Sequence, residues 1–525
     1  MEAQFPRLWN GPSILDVVRQ HIDASGHLDG ASFSLPDDDT APQDGVGWSP
    51  GAADGVTVHH TSGADDGALS HVPWATHLLV SASCNPSVDA LKSLHAELVR
   101  VSPIGYVDEL LTSVCDAEPN WEGLGRIARW LIVTSPNRRA VKVGIALLGI
   151  VGLNDADVPT MWQLALHEEF TLFAAVALAR NSEKPDEIVW ELAQQVHGWG
   201  RIHCVELLGE ATDPRIKDWV LRQGYRNDIL IDYTALIATK IGDLAEVLRN
   251  NPDREQLTAA GEILTALLTE GPAEGIEAYP DGEDAVSLFL EHLMSEEGTL
   301  EDFAAVEAIS DFLVAGSAWA IKARSHWSTA RCQALAQFAS AFLARDHWRD
   351  LVLAGLRSDD HHQFALADSA AAELGIDTFE AHVTRIRRNP MGSGWLRAWS
   401  QADELRAEEL VHLARTLLPL DEISRDEWSS ESGVGSPAQR ALDQTVMALR
   451  MYPGVGADLL MTGLESSLPH NRAVALATLS SWPYEVWPNT ARQALARVAE
   501  RDPDLTNRPR AQKLLDRISA RSEYN

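Results

Sequence analysis

The sequence predicts an all-α protein, an α-solenoid of antiparallel helix pairs in HEAT-like repeats of about 30 residues, with a small irregular N-terminal segment. Three observations predict it. A Trp-x-Leu string recurs at Trp162-Gln163-Leu164, Trp190-Glu191-Leu192 and Trp219-Val220-Leu221, at spacings of 28 and 29, and Trp130-Leu131-Ile132 fills the same slot 32 residues upstream. A second apolar series follows in phase at Leu148, Leu178, Leu208 and Ile237, spaced 30, 30 and 29, and Leu267 continues it 30 residues later. Chain breakers punctuate the segments: Asn154 with Pro159, Lys184-Pro185, Asp213-Pro214, Gly224 and Asn251-Pro252. One such hairpin cannot bury both its apolar faces, so neighbours must stack into a continuous core.

Residues 1–72 form the irregular segment, acidic and rich in Gly and Asp. From Gln20 to Leu91 there is no Lys or Arg against ten Asp, including Asp37-Asp38-Asp39. Within it Gly55 to His60 reads as the best strand candidate. Residues 73–315 hold the repeats. Leu172, Ala175, Val176 and Ala179 follow the i, i+3, i+4, i+7 spacing of one helix face. The indole of each Trp-x-Leu string reads as a packing residue of the first helix, filling the wedge between successive pairs. Val286, Leu290, Leu293 and Met294 mark one further face, and Phe303, Val306, Ile309, Leu313 and Val314 another. Residues 316–418 continue in helices, with Leu335, Phe338, Ala339 and Phe342 on one face and an irregular connector at Asn389–Gly394. Residues 419–437 are acidic and Ser/Gly-rich and read as a mobile loop. Residues 438–525 return to HEAT-like helices: Ala473, Leu476, Ala477 and Leu479 lead into Trp482-Pro483, and another helix runs from about Asn489 to Glu500.

The 525 residues are 45% hydrophobic and 23% charged, an ordinary globular composition that excludes wholesale disorder. The net charge is −33. That argues against a protein that grips a phosphate backbone or an anionic membrane surface, since both need excess cations. Glu255 to Ile321 contains fifteen acidic residues and no Lys or Arg. Such a stretch either solvates the surface or docks a basic partner. Pro6, Asn10 and Gly11 interrupt the first residues, so no secretory signal is expected. The longest apolar stretch, about Val143 to Leu153, is far short of the roughly 20 residues that span a bilayer. Cys84, Cys115, Cys204 and Cys332 are widely spaced and read as reduced thiols of a cytoplasmic protein. The chain has no phosphate-binding glycine loop, no dinucleotide fingerprint, no H-E-x-x-H and no G-x-S-x-G. His167-Glu168-Glu169 lacks a second histidine one turn later.

Two constellations carry potential chemistry. The first runs from Trp48 through Pro50, Gly51 and Asp54 to His59 and His60. Asp54 with the two histidines could supply ligands to a divalent metal, although adjacent histidines on a strand face opposite ways. The alternative is a folded cap in which Gly51 and Gly55 shape turns. The second is Val196-His197-Gly198-Trp199-Gly200-Arg201-Ile202-His203, where two glycines flank an indole at a helix start and Arg201 could bind an anion. Arg222, Tyr225 and Arg226, one repeat later, could share that face. Its alternative is a repeat junction with ordinary capping.

These strings resemble a bacterial family of HEAT-repeat-like proteins whose members are often labelled limonene hydroxylase. The family's W-x-P-G-A-x-D-G…H-H string corresponds to Trp48, Pro50, Gly51, Ala52, Asp54, Gly55, His59 and His60. Its V-H-G-W-G-[RK]-I string corresponds to Val196–Ile202, and its W-x-L-R-x-G-[YF]-[RK]-N string to Trp219, Leu221, Arg222, Gly224, Tyr225, Arg226 and Asn227. Gly271-Pro272-Ala273-Glu274 with Ile276 also matches, so the likeness spans most of the chain. The resemblance implies a HEAT-type fold and, through the label, a terpene monooxygenase. Such an enzyme activates oxygen with haem, flavin or non-haem iron. No flavin loop or haem-thiolate context is found, which leaves an iron site of Asp54, His59 and His60 as the form available.

The expectation is a cytoplasmic scaffold or adaptor that binds another protein, one with a basic surface, through its repeat surface and acidic faces. It carries no cofactor and binds neither nucleic acid nor membrane. Its candidate binding residues are Trp48, Asp54, His59, His60, His197, Trp199, Arg201, Arg222, Tyr225 and Arg226. The alternatives are a metal-dependent monooxygenase at Asp54, His59 and His60, and an immunity or inhibitor protein whose Glu255–Ile321 stretch masks a basic toxin site.

Overall fold

Helices account for nearly all of the regular structure in the computed structural model, which describes residues 5–28, 33–38, 48–61, 66–424, 427–429 and 435–522. Among these residues there is no strand, only one isolated bridge between Ile22 and Leu28. The protein is therefore all-α. No helix among them is long and apolar enough to cross a membrane. The chain divides into two compact units, Met1–Arg345 and Asp346–Asn525.

The first unit opens with α1 (Ile14–Gln20), α2 (Ala52–His60), α3 (Asp66–Leu69), α4 (Val72–Cys84), α5 (Val88–Leu98) and α6 (Val107–Asp116). Pairs follow: α7 (Trp121–Thr134) with α8 (Arg138–Val151), α9 (Val158–Ala165) with α10 (Glu168–Arg180), and α11 (Pro185–Ala193) with α12 (Gly198–Leu207). Next, α13 (Pro214–Trp219), extended by a π-turn over Val220–Gly224, pairs with α14 (Asp232–Gly242). The unit ends with α15 (Leu244–Arg249), α16 (Arg254–Leu267), α17 (Gly282–Met294), α18 (Leu300–Val314), α19 (Ala318–Ala323) and α20 (Thr329–Leu343).

The breakers act as helix starts. Pro159, Pro185 and Pro214 sit in the first turns of α9, α11 and α13, where a missing N–H costs no intrahelical bond. Asn137, Asp213, Asp253 and Thr299 cap α8, α13, α16 and α18 with their side chains. The second members form a row in which α8 packs on α10, α10 on α12, α12 on α14, α14 on α16, α16 on α18 and α18 on α20. The phased apolar series falls on this row. Leu148, Leu178 and Leu267 are buried in α8, α10 and α16, Leu208 is buried at the end of α12, and Ile237 is half-buried in α14.

Three details differ from the periodicity reading. In α10 the buried side is made by Phe170, Phe173, Ala174, Ala175, Ala177 and Leu178, and Val176 is exposed. The wide burial of a helix flanked by neighbours on several sides blurs which stripe faces inward. Met294, Val314 and Phe338 are likewise exposed while their predicted companions are buried. The four tryptophans all lie near the C-terminal end of a first helix, but they do not share one wedge role. Trp130 is fully buried beside Trp9 and His95, and its Nε1–H donates to the Pro6 carbonyl at 3.1 Å. Trp162 is half-buried; Trp190, also half-buried, lies under Arg215, and the Trp219 ring lies under Arg201.

The second unit contains α21 (Trp348–Gly355), α22 (His361–Glu373), α23 (Phe379–Arg388), α24 (Gly394–Ser400), α25 (Glu404–Leu417), α26 (Leu420–Ile423), α27 (Pro437–Ala448), α28 (Ala457–Glu465), α29 (Pro469–Ser481), α30 (Ala491–Arg501) and α31 (Asn507–Ser522). Its core runs from Phe379 to Ile518 and includes Trp395, Trp399 and Trp482. A fully buried ion pair joins Arg472 to Asp502 at 2.6 Å. Of the predicted loop at 419–437, residues 425–426 and 430–434 lie outside the described residues. The rest is tied down: α26 is helical, and Trp428 packs on the core and donates from Nε1 to the Glu465 carbonyl at 3.1 Å.

Candidate functional site

The strand candidate at Gly55–His60 is helix α2. Val56, Thr57 and Val58 are β-branched and favour a strand locally, and Gly55 is a poor helix former. Tertiary contacts decide otherwise. Gly51 takes φ +71° at the helix start and donates its N–H to Glu169 Oε2 at 3.1 Å; a Cβ there would lie 2.8 Å from the Glu168 carbonyl. Asp54, in the first turn, meets Lys142 of α8 at 2.6 Å. Gly55 lies flat on the Trp199 indole, where a Cβ would sit 2.1 Å from a ring carbon. His59 and His60 end the helix. Asp54 thus engages α8, the Gly51 amide the start of α10, His59 engages α12 and His60 engages α14.

Beneath the N-terminal end of α2 lies a buried ion network. Lys142 Nζ contacts both Asp54 and Glu169 at 2.6 Å, and Arg138 reaches Glu169, Asp37 and Asp38. Burial opposes the Lys142 charge, but the two carboxylates outweigh it and hold its pKa above the ordinary value. Burial likewise opposes ionisation of Glu169, yet Lys142 and Arg138 hold its carboxyl below the ordinary range. Next to it, Glu168 has no cation. Burial, with Asp228 adding to it against the Trp199 amide, pushes its carboxyl up to about 7. That carboxylate accepts the Trp199 N–H at 2.9 Å at the start of α12.

At the C-terminal end of α2, His59 stands among Trp199, His203 and Tyr233, with ring centroids 5.6, 6.3 and 4.9 Å away. His203 and Glu206 are three residues apart on α12, so both project from one face. Glu206 Oε1 lies 3.3 Å from His59 Nε2, and Glu206 Oε2 lies 3.4 Å from His203 Nδ1. Among the described residues, His59, His203 and Glu206 are the one trio of His, Cys, Asp or Glu whose ligand atoms fall within 4.8 Å of one another. His59 Nε2 is buried without a hydrogen-bond partner, a situation that costs about 1–3 kcal/mol for a typical polar group. Burial is the main cause that lowers the His59 pKa; His203 and His60 add to it, and Glu206 opposes it. A cavity of about 380 Å³ opens beside the trio, lined by His59, Glu206, Asp232, Tyr233, Lys240 and Glu274 among others. A larger hollow of about 570 Å³ in the second unit is lined by Asp458, Glu465 and Arg497 among others. There Asp458 is paired with Arg415, and Glu465 with Arg497.

The ligand set implied by the resemblance does not assemble. Asp54 is held by Lys142, and His60 Nε2 bonds the Tyr233 hydroxyl at 2.8 Å. Only His59 of that set belongs to the trio. Trp199 is buried and holds α2 in place, and Trp48 is half exposed just before α2. The remaining candidates tie successive pairs together. Arg201 donates to the Val196 and Arg226 carbonyls at 3.0 and 3.3 Å, so it anchors backbone rather than offering itself to an anion. Arg222 bridges Asp218, Asp253 and Glu255; Tyr225 donates to Glu262 at 2.7 Å, and Arg226 grips the same carboxylate from two nitrogens at 2.9 Å. His197 is exposed beside Asp228 at 3.3 Å.

Sequence reasoning passed over Lys142, Glu206 and Tyr233, and it named Glu168, Glu169 and His203 without giving them a role. The one local signal was the His203-x-x-Glu206 spacing on a predicted helix; the others meet α2 only through the fold. Comparison with protein-family models, with curated proteins and with solved structures gives no match to this chain.

Proposed function

We propose that the chain is a HEAT-like α-solenoid that serves as a binding scaffold for another protein carrying a basic surface. The observation that carries this reading is the row of helices α8, α10, α12, α14, α16, α18 and α20, each packed on the next, with the 29–30-residue apolar series falling on it from α8 to α16. Stacked repeats of this kind present an extended surface built from many short elements, which suits protein recognition. Charge supports the choice of partner. The cations paired with the Glu255–Ile321 stretch, Arg222, Arg226, Arg249, Arg254 and Arg331, come from outside it, and Glu270, Glu296, Glu297 and Asp311 stay exposed. An exposed field of one sign speeds encounter with an opposite surface and selects against like-charged competitors.

The test is capture of partners by the full chain from its native host, repeated with a variant carrying Glu270→Lys, Glu296→Lys, Glu297→Lys and Asp311→Lys. A reproducible partner, bound at least tenfold more weakly by the variant and with a shallower salt dependence, is expected. Absence of any partner, or equal capture by both proteins, would overturn the reading.

A further inference from the structure

We propose that His59, His203 and Glu206 form a binding site for one divalent transition-metal ion of the zinc class, open to the adjoining cavity. The inference is independent of the partner-binding reading.

The trio has the right chemistry. Two imidazoles and one carboxylate suit borderline ions such as Zn²⁺, whereas Mg²⁺ and Ca²⁺ prefer all-oxygen shells. It also has the right spacing. Ligand atoms at about 2.0–2.1 Å from a tetrahedral ion stand roughly 3.3 Å from one another. The structure holds His59 Nε2 and Glu206 Oε1 at 3.3 Å, and His203 Nδ1 and Glu206 Oε2 at 3.4 Å. The carboxylate thus stands between the two imidazoles with one oxygen toward each, and the three ligand atoms lie within 4.8 Å of one another, so an ion would have to draw them closer to reach coordination distance.

Two further observations point to a ligand. His59 Nε2 is buried and unpartnered although a carboxylate oxygen stands close by, so the contact is badly aligned as a hydrogen bond. Metal coordination would satisfy that nitrogen. His59 and Glu206 also line the cavity of about 380 Å³, while His203 lies behind them, almost fully buried. Three protein ligands, two of them on the cavity wall, leave at least one coordination position that can face the open space, the arrangement of metal sites that take up an exogenous ligand rather than of closed structural sites. The supports are rigid. His203 and Glu206 share one helix, and His59 is set by α2, whose Gly55 is seated on Trp199.

The experiment uses untagged full-length protein stripped with chelator and titrated with Zn²⁺, with Co²⁺ as the spectroscopic probe. One equivalent of Zn²⁺ is expected to bind and raise the thermal midpoint, and Co²⁺ should give visible d–d bands of a low-symmetry nitrogen/oxygen site. Glu206→Gln, at a partly exposed position that should preserve the fold, and His59→Asn should each weaken binding by roughly 100-fold or more, since loss of even an outer partner costs about 10–100-fold. His326→Ala, an exposed histidine that follows α19, should bind as the parent does. Helical content measured by circular dichroism on each variant separates lost binding from lost fold. No stoichiometric Zn²⁺ binding by the parent, or equal affinity in the folded Glu206→Gln and His59→Asn variants, would overturn the site.

Discussion

Gly55 shows how one residue sets the position of a helix. A methyl group there would meet the Trp199 ring at 2.1 Å, and the indole is itself buried. Replacement by Ala gains up to about 1 kcal/mol of helix propensity, but overpacking a filled contact costs about 1–3 kcal/mol. The clash is severe enough to win, so Gly55→Ala should destabilise the first unit by about 1–2 kcal/mol in urea denaturation; a stabilised variant would show that α2 is not seated on Trp199. Glu168 gives a pH signature. Its carboxyl is raised in the folded state from an ordinary 4.5 to about 7, so the stability it contributes is fully present below about 4.5 and is lost as pH rises through about 7. His95 and His167, both held by burial to about 4, act in the opposite sense over the same range. Comparison with Glu168→Gln isolates the Glu168 contribution. Relative to the variant, the parent should lose stability between about pH 5 and pH 8, and parallel pH profiles would contradict this assignment.

At the scale of the element, α2 is the informative one. Its residues favour a strand by local preference, yet it is helical because Asp54 finds a partner on α8, Gly55 and His59 find theirs on α12, and His60 finds one on α14. Lys142 is the central tie, since it links α2 to α8 and to the start of α10. Lys142→Met leaves two buried carboxylates facing each other. Breaking a buried ion pair from one side costs about 3–5 kcal/mol, so the variant should unfold at a markedly lower denaturant concentration. Adding Asp54→Leu removes one of the stranded charges and should recover part of that loss. Failure of the second change to recover any stability would mean that the penalty does not come from uncompensated charge.

At the scale of the whole molecule, the two compact units each carry their own core. The second unit, at 346–525, falls within the size at which single domains fold alone. Expressed separately, that segment should be helical and melt in one cooperative transition; a broad, non-cooperative melt would show that its core is incomplete. The acidic balance belongs to this scale too. The fifteen carboxylates from Glu255 to Ile321 have no Lys or Arg among them, and those that are paired draw arginines from neighbouring segments, which ties those segments together.

Helix content and the pairing of successive helices from α7 to α14 were legible in the sequence because they rest on short-range rules: apolar residues every three or four positions and prolines where helices begin. The site was legible only in part. His59 and Trp199 stood out in their strings, but nothing local links His59 to His203 and Glu206, nearly 150 residues away, or Asp54 to Lys142. The conformation of α2 and the identity of its neighbours were decided by the tertiary structure. A buried charge and a crowded indole outweigh the weak local preference of a nine-residue segment, and those contacts exist only once the row of helices has formed.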